Sequence, residues 1–100
     1  MAFVDKYDLE NLKNEAERLI FEEIGKQIDI FSEGEICRCN ECIIDIAAMA
    51  LNSVKPFYRH SLLGTLYALE AINIDEEYAE SIRSAVAQAI KKVQKNPAHT

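Results

Sequence analysis

At 100 residues, with 49% hydrophobic and 28% charged side chains, the chain has the composition of one globular domain, neither disordered nor membrane-embedded. Its formal net charge of −6 is concentrated early: residues 5–35 carry ten acids against four bases, while residues 36–100 balance at seven of each. That acidity argues against a DNA-coating protein, whose affinity rests on cations against phosphates, and against docking on an anionic membrane.

Residues 8 to about 31 predict one long amphipathic helix. Leu9, Leu12, Ala16, Leu19, Ile20, Ile24, Ile28 and Phe31 recur at three-and-four spacing, Asp8 is placed to cap it, and Glu22–Lys26 is a favourable i,i+4 pair. Gly25 weakens the last two turns. Twenty-four helical residues would run roughly 36 Å, the full width of a domain this size, so contacts with a second subunit are expected. Ser32-Glu-Gly-Glu35 then breaks the pattern. The opening Met1-Ala-Phe-Val-Asp5 lacks the basic start of a secretory leader, which predicts a cytoplasmic protein.

All three cysteines follow within six residues, in Cys37-Arg-Cys-Asn-Glu-Cys42. A tight turn at Arg38 and Asn40 would aim the three sulfurs at one point, as three corners of a tetrahedral zinc site. Asn40 is expected to cap the next helix, with Glu41 and Cys42 in its first turn, where unpaired N–H groups favour a thiolate. An odd number of cysteines argues against a disulfide framework, the spacing of Cys37 and Cys39 against a relaxed disulfide, and the lack of a fourth against the usual iron–sulfur cluster.

The helix over Cys42–Asn52 is apolar nearly all round, polar only at Asp45 and Asn52. Too short to cross a bilayer, which takes about 20 residues, it is expected to be the buried central helix. Asp45 reads either as an acceptor for N–H groups of the cysteine loop or as a core carboxylate paired with an arginine. Pro56 ends the helical stretch. Phe57 to His60 is read as extended and residues 65–72 as a short helix. The last helix, about 76–95, has Asp75 as cap, Glu76 and Glu77 in its first turn, and Lys91, Lys92 and Lys95 at its negative end. Its apolar face carries Tyr78, Ile82, Ala85, Val86, Ala89, Ile90 and Val93. The fold class is therefore all-α, one domain over residues 1–100, with three to four helices and a zinc knuckle before the central one. Arg59, Arg83 and Lys92 are the bases available for an anion. No nucleophile–base pair, phosphate-cradling glycine loop or catalytic pair of carboxylates is present, and no enzyme is predicted.

These residues carry a resemblance. Cys37-x-Cys39-x-x-Cys42, Asp45, Ala50-Leu51-Asn52, Pro56-x-Tyr58, Gly64-x-x-Tyr67 and the ending Asn96-Pro97-x-His99 together resemble the late-competence ComFB family, over nearly the whole chain. The resemblance implies a small, intertwined helical homodimer, zinc in cysteine-bearing members, and a bacterial regulatory role in competence or related signalling, through a protein partner the sequence does not name. Some relatives without the cysteines are receptors for cyclic dinucleotides. Here Leu62-Leu63 stand before Gly64 where many relatives have an acid and a lysine. A phosphate partner is thereby lost, and cyclic dinucleotide binding is expected to be weak or absent.

One corner of the zinc site remains. Asp45 is tied to the same helix as Cys42, and His60 reaches the thiols only if the loop after Pro56 folds over them. His99 lies past the last helix, in a tail that Pro97 turns off the axis, and belongs to the shared Asn-Pro-x-His ending. The expected ligand set is therefore Cys37, Cys39, Cys42 and His99, the histidine coming from the same chain or its dimer partner, with His60, Asp45 and water as alternatives.

Overall fold

The computed structural model describes residues 2–60 and 76–97, with only the backbone at Arg59. The predicted helix over 65–72, Gly64, the Leu62-Leu63 pair, Asp75 and His99 all lie outside the described residues.

Three helices make the bundle: α1 (Glu15–Ile28), α2 (Asn40–Ser53) and α3 (Glu76–Lys95). Two-residue strands β1 (Lys13–Asn14) and β2 (Tyr58–Arg59) pair antiparallel, with Asn14 opposite Tyr58. No described helix is long and apolar enough to cross a membrane. The core is assembled from Ile20, Ile24 and Ile28 of α1, Cys42, Ile46 and Ala50 of α2, and Ile82, Val86, Ile90 and Val93 of α3. α2 packs most extensively on α3, and α1 lies against both.

The first helix is shorter than its hydrophobic pattern predicts. Leu9 and Leu12 are exposed, and the segment before α1 consists of two 3-10 turns, Phe3–Lys6 and Leu9–Asn11, with no buried residue. Tertiary pairing explains the difference. Asn14 is extended (φ −101°, ψ 106°), and its side-chain oxygen accepts from the N–H of Ala16 at 3.1 Å and from that of Phe57 at 2.7 Å. The Glu15 N–H in turn donates to the Phe57 carbonyl at 2.7 Å. Asn14, not Asp8, is therefore the cap, and helix cannot continue backwards through a residue committed to a strand. Fourteen residues span about 21 Å, so the predicted excess of helix length is absent.

At its other end α1 unwinds through bonds to the third residue back, Ile30 N–H to Gln27 and Phe31 N–H to Ile28. A turn closed by Glu35 N–H to the Ser32 carbonyl follows, with Gly34 at φ 91°, where a side chain would be strained.

α2 corrects a second expectation. Only Cys42, Ile46 and Ala50 are buried; Ile44 is 57% exposed, and Ala48 also faces outward. Its apolar residues ring the helix as the sequence says, but this chain covers only one side. With Phe21 and Ile24 of α1, the uncovered residues Ile43, Ile44, Ala47, Ala48 and Leu51 line an apolar hollow of about 420 Å³. α3 follows its predicted limits, and every residue assigned to its apolar face is buried except the half-buried Tyr78.

Candidate metal centre

Three helix ends meet at the loop that carries the cysteines. Ile36, 5% exposed, pins that loop into the core immediately before Cys37. Arg38 reaches back to the end of α1, where its Nη2 donates to the carbonyls of Ile28 and Phe31, each at 3.1 Å. At the start of α2, Cys39 is the capping residue, extended at φ −70° and ψ 160°, and its Sγ accepts the Cys42 N–H at 3.4 Å. From the last turn of α3, the Gln94 amide donates to the Glu35 carbonyl at 3.2 Å. The Glu35 carboxylate accepts the Ser32 N–H, which holds its pKa below the ordinary carboxylate range.

The three sulfurs lie within 4.8 Å of one another, Cys42 buried and Cys37 and Cys39 half-buried against the core. Tetrahedral zinc with bonds of about 2.3 Å sets sulfurs about 3.8 Å apart, so the thiols fit the ion after closing by no more than about 1 Å. The predicted cap, Asn40, is instead the first helical residue, and the predicted turn at Arg38 lies upstream at Ser32–Glu35. The sulfurs converge because Cys42 rides on α2 while Cys37 and Cys39 come from a non-helical approach to it.

The remaining candidates are dispersed. His60 is exposed beyond β2, and β2 is tied to the N-terminal end of α1, about 20 Å of helix away from the end that Arg38 grips. Phe57, directly after Pro56, is thus bonded to Asn14 and Glu15, at the other end of α1 from Arg38. Asp45 is half-buried, and among the described residues no hydrogen bond or ion pair reaches it, from the loop or from an arginine. Arg83, one of the bases considered for an anion, is bound to Glu80 at 2.6 Å, which raises its pKa, and Lys92 is exposed nine residues further along α3.

The sequence marks Arg38 only as a turn position and gives Gln94 no role. The signal available for Arg38 is its position, a long donor held between two cysteines and ten residues past the end of α1.

The family model for late competence development protein ComFB matches residues 13–97. Among solved structures, the chain is similar to the late competence protein ComFB from Bacillus subtilis, at 24% identity and a TM-score of 0.66, covering 88% of this chain and 96% of that one. At that identity the likeness is one of fold. No curated protein matches the chain.

Proposed function

Because the chain belongs to the late competence development protein ComFB family, we propose that it is a non-catalytic, zinc-stabilised homodimeric regulatory or adaptor protein of the bacterial cytoplasm. The observation that carries this reading is the convergence of Cys37, Cys39 and Cys42 within 4.8 Å at a point where the ends of three helices are tied together. A closed zinc there holds structure rather than performing chemistry.

His99 completes the set in this reading. Gln94 touches the carbonyl of Glu35, two residues before Cys37, so the last turn of α3 lies at the thiol end of the bundle. Five residues at about 3.3 Å each give His99 a reach of roughly 16 Å from there, whereas His60 starts from the far end.

Dimerisation no longer rests on helix length. Its support is the uncovered apolar side of α2, with Phe21 53% and Ile44 57% exposed beside the hollow, and the thin, spread form of the chain. The principal extents are 45 × 39 × 19 Å and the radius of gyration is 15.8 Å, against about 13 Å for a compact domain of this length. A second copy of the same face would cover it.

Native mass spectrometry tests both parts at once: wild-type protein should appear as a dimer carrying one zinc per chain. Ile44→Asp should give a folded, zinc-loaded monomer, since a charge at an exposed position costs nothing unless a partner covers it. Metal-free monomers of stable wild-type protein would overturn the proposal.

A further inference from the structure

We propose that Arg38 is the positioning residue of the thiol cluster: its grip on the end of α1 holds Cys37 beside Cys39 and Cys42. This rests on the zinc reading above and adds to it the part of the chain that aims the ligands.

Cys42 needs no such help. It is fully buried in the first turn of α2, and the helix fixes its direction. Cys39 is tied to α2 as well, its Sγ accepting the Cys42 N–H and its carbonyl the Ile43 N–H, whereas Cys37 and Arg38 form neither turn nor helix. Without an anchor of its own, that stretch could turn and swing the Cys37 thiol away from Cys39 and Cys42.

Arg38 stands between Cys37 and Cys39, and its Nη2 donates to the Ile28 carbonyl at the end of α1 and to the Phe31 carbonyl just beyond it. Ile36, two residues earlier, is buried in the core. With Ile36 in the core and Arg38 tied to the end of α1, the residues on either side of Cys37 are both anchored. Both bonds run from one nitrogen, Nη2, to carbonyls at the negative end of a helix dipole, where a cation is favoured. Loss of a group that orients metal ligands typically costs 10- to 100-fold in metal affinity.

A simple helix cap would behave differently. If Arg38 only secured the end of α1, its loss would destabilise the metal-free and metal-bound proteins equally and leave zinc affinity unchanged. The experiment therefore measures zinc affinity of the full chain by competition with a chromophoric chelator, alongside thermal melting of the metal-free protein. Arg38→Ala should weaken zinc at least about 10-fold, more than its effect on metal-free melting accounts for. Arg38→Lys should recover most of the affinity, because a lysine ammonium can supply both bonds that Nη2 makes, whereas Arg38→Gln should not. Cobalt substituted for zinc gives a second readout: the tetrahedral thiolate spectrum of the wild type should be distorted in Arg38→Ala and restored in Arg38→Lys.

Wild-type affinity in Arg38→Ala, or no difference between Arg38→Lys and Arg38→Gln, would overturn the assignment while leaving the zinc reading intact. Should Arg38→Ala not fold, the lysine and glutamine variants decide alone. A wild type that binds no zinc would instead remove the reading on which the assignment rests.

Discussion

At one end of the bundle the N-terminus of α1, the segment after α2 and the first turn of α3 are joined by ordinary hydrogen bonds and ring packing. Asn14 holds Ala16 and Phe57, Tyr78 donates to the Lys55 carbonyl at 2.8 Å, and the Phe57 and Tyr78 rings meet edge-on with centroids 5.8 Å apart. At the opposite end the C-terminus of α1, the N-terminus of α2 and the last turn of α3 converge on a loop with three thiols. Both ends solve the same problem, satisfying backbone groups that helices leave open. The strand end does so with contacts complete in the chain itself. At the thiol end, the loop also carries three thiols placed to hold a metal, and a metal bound there would make the stability of that end conditional on it.

The largest expected effect follows from that condition. Stripping zinc with a chelator should lower the melting temperature by more than about 15 °C, since metal binding to a small site is largely folding free energy. Cys39→Ser separates the two jobs of Cys39, because a serine hydroxyl is among the best helix caps but a poor zinc ligand. The variant should lose zinc and the stability that zinc brings, yet melt at or slightly above metal-free wild type. If it melts well below the metal-free protein, the Cys39 sulfur has a structural contact beyond capping. If chelation leaves the melting temperature unmoved, the contrast between the two ends disappears.

Asn14→Ala probes the other end. It removes a helix cap and leaves the Phe57 N–H without the Asn14 acceptor, at a combined cost of about 2 kcal/mol, or roughly 10 °C in a domain this size. Zinc stoichiometry and affinity should not change, since the site lies a helix length away. Loss of zinc in Asn14→Ala would mean that the ends are coupled through α1 and are not independent closures.

The two ends also differ in how far the sequence reveals them. Cysteine clustering is a local signal, and Cys37, Cys39 and Cys42 could be read from spacing because their meeting point needs few intervening residues. α3 was legible for a similar reason: twenty residues of regular periodicity with acids at one end and lysines at the other. The start of α1 was not. Leu9 and Leu12 keep helical register with Ala16, and only the pairing of Asn14 with residues more than forty positions away takes that segment out of helix. Asn14 before Glu15-Ala16-Glu17 is itself a cap signal, but leucines upstream in helical register obscure it. Likewise, the apolar circumference of α2 was visible in sequence, while which side is covered depends on where α1 and α3 pack. Arg38 was hidden because its partners are carbonyls, which carry no side-chain signature.

Gly25 is expected to give the smallest effect and the only upward one. It sits on α1 one turn before Ile28, and a methyl group there would meet no atom within 4 Å. Its φ is not in the left-handed region, which among the glycines of known conformation belongs to Gly34. A glycine in a regular, exposed helix costs about 0.5–1 kcal/mol relative to alanine, through the freedom it loses on folding. Gly25→Ala should therefore raise the melting temperature by about 3–6 °C. Zinc affinity should hold, because the Ile28 and Phe31 carbonyls that Arg38 grips stay where they are. The position also bears on the second copy. Phe21 is four residues earlier, on the same face of α1 and beside the apolar hollow. If a partner chain lies directly over Gly25, the added methyl meets it, and the variant dissociates or melts lower despite the better helix. A rise in melting temperature with the dimer retained limits the covered face to Phe21 and the α2 side of the hollow. A fall with dissociation extends it along α1 toward the thiol end.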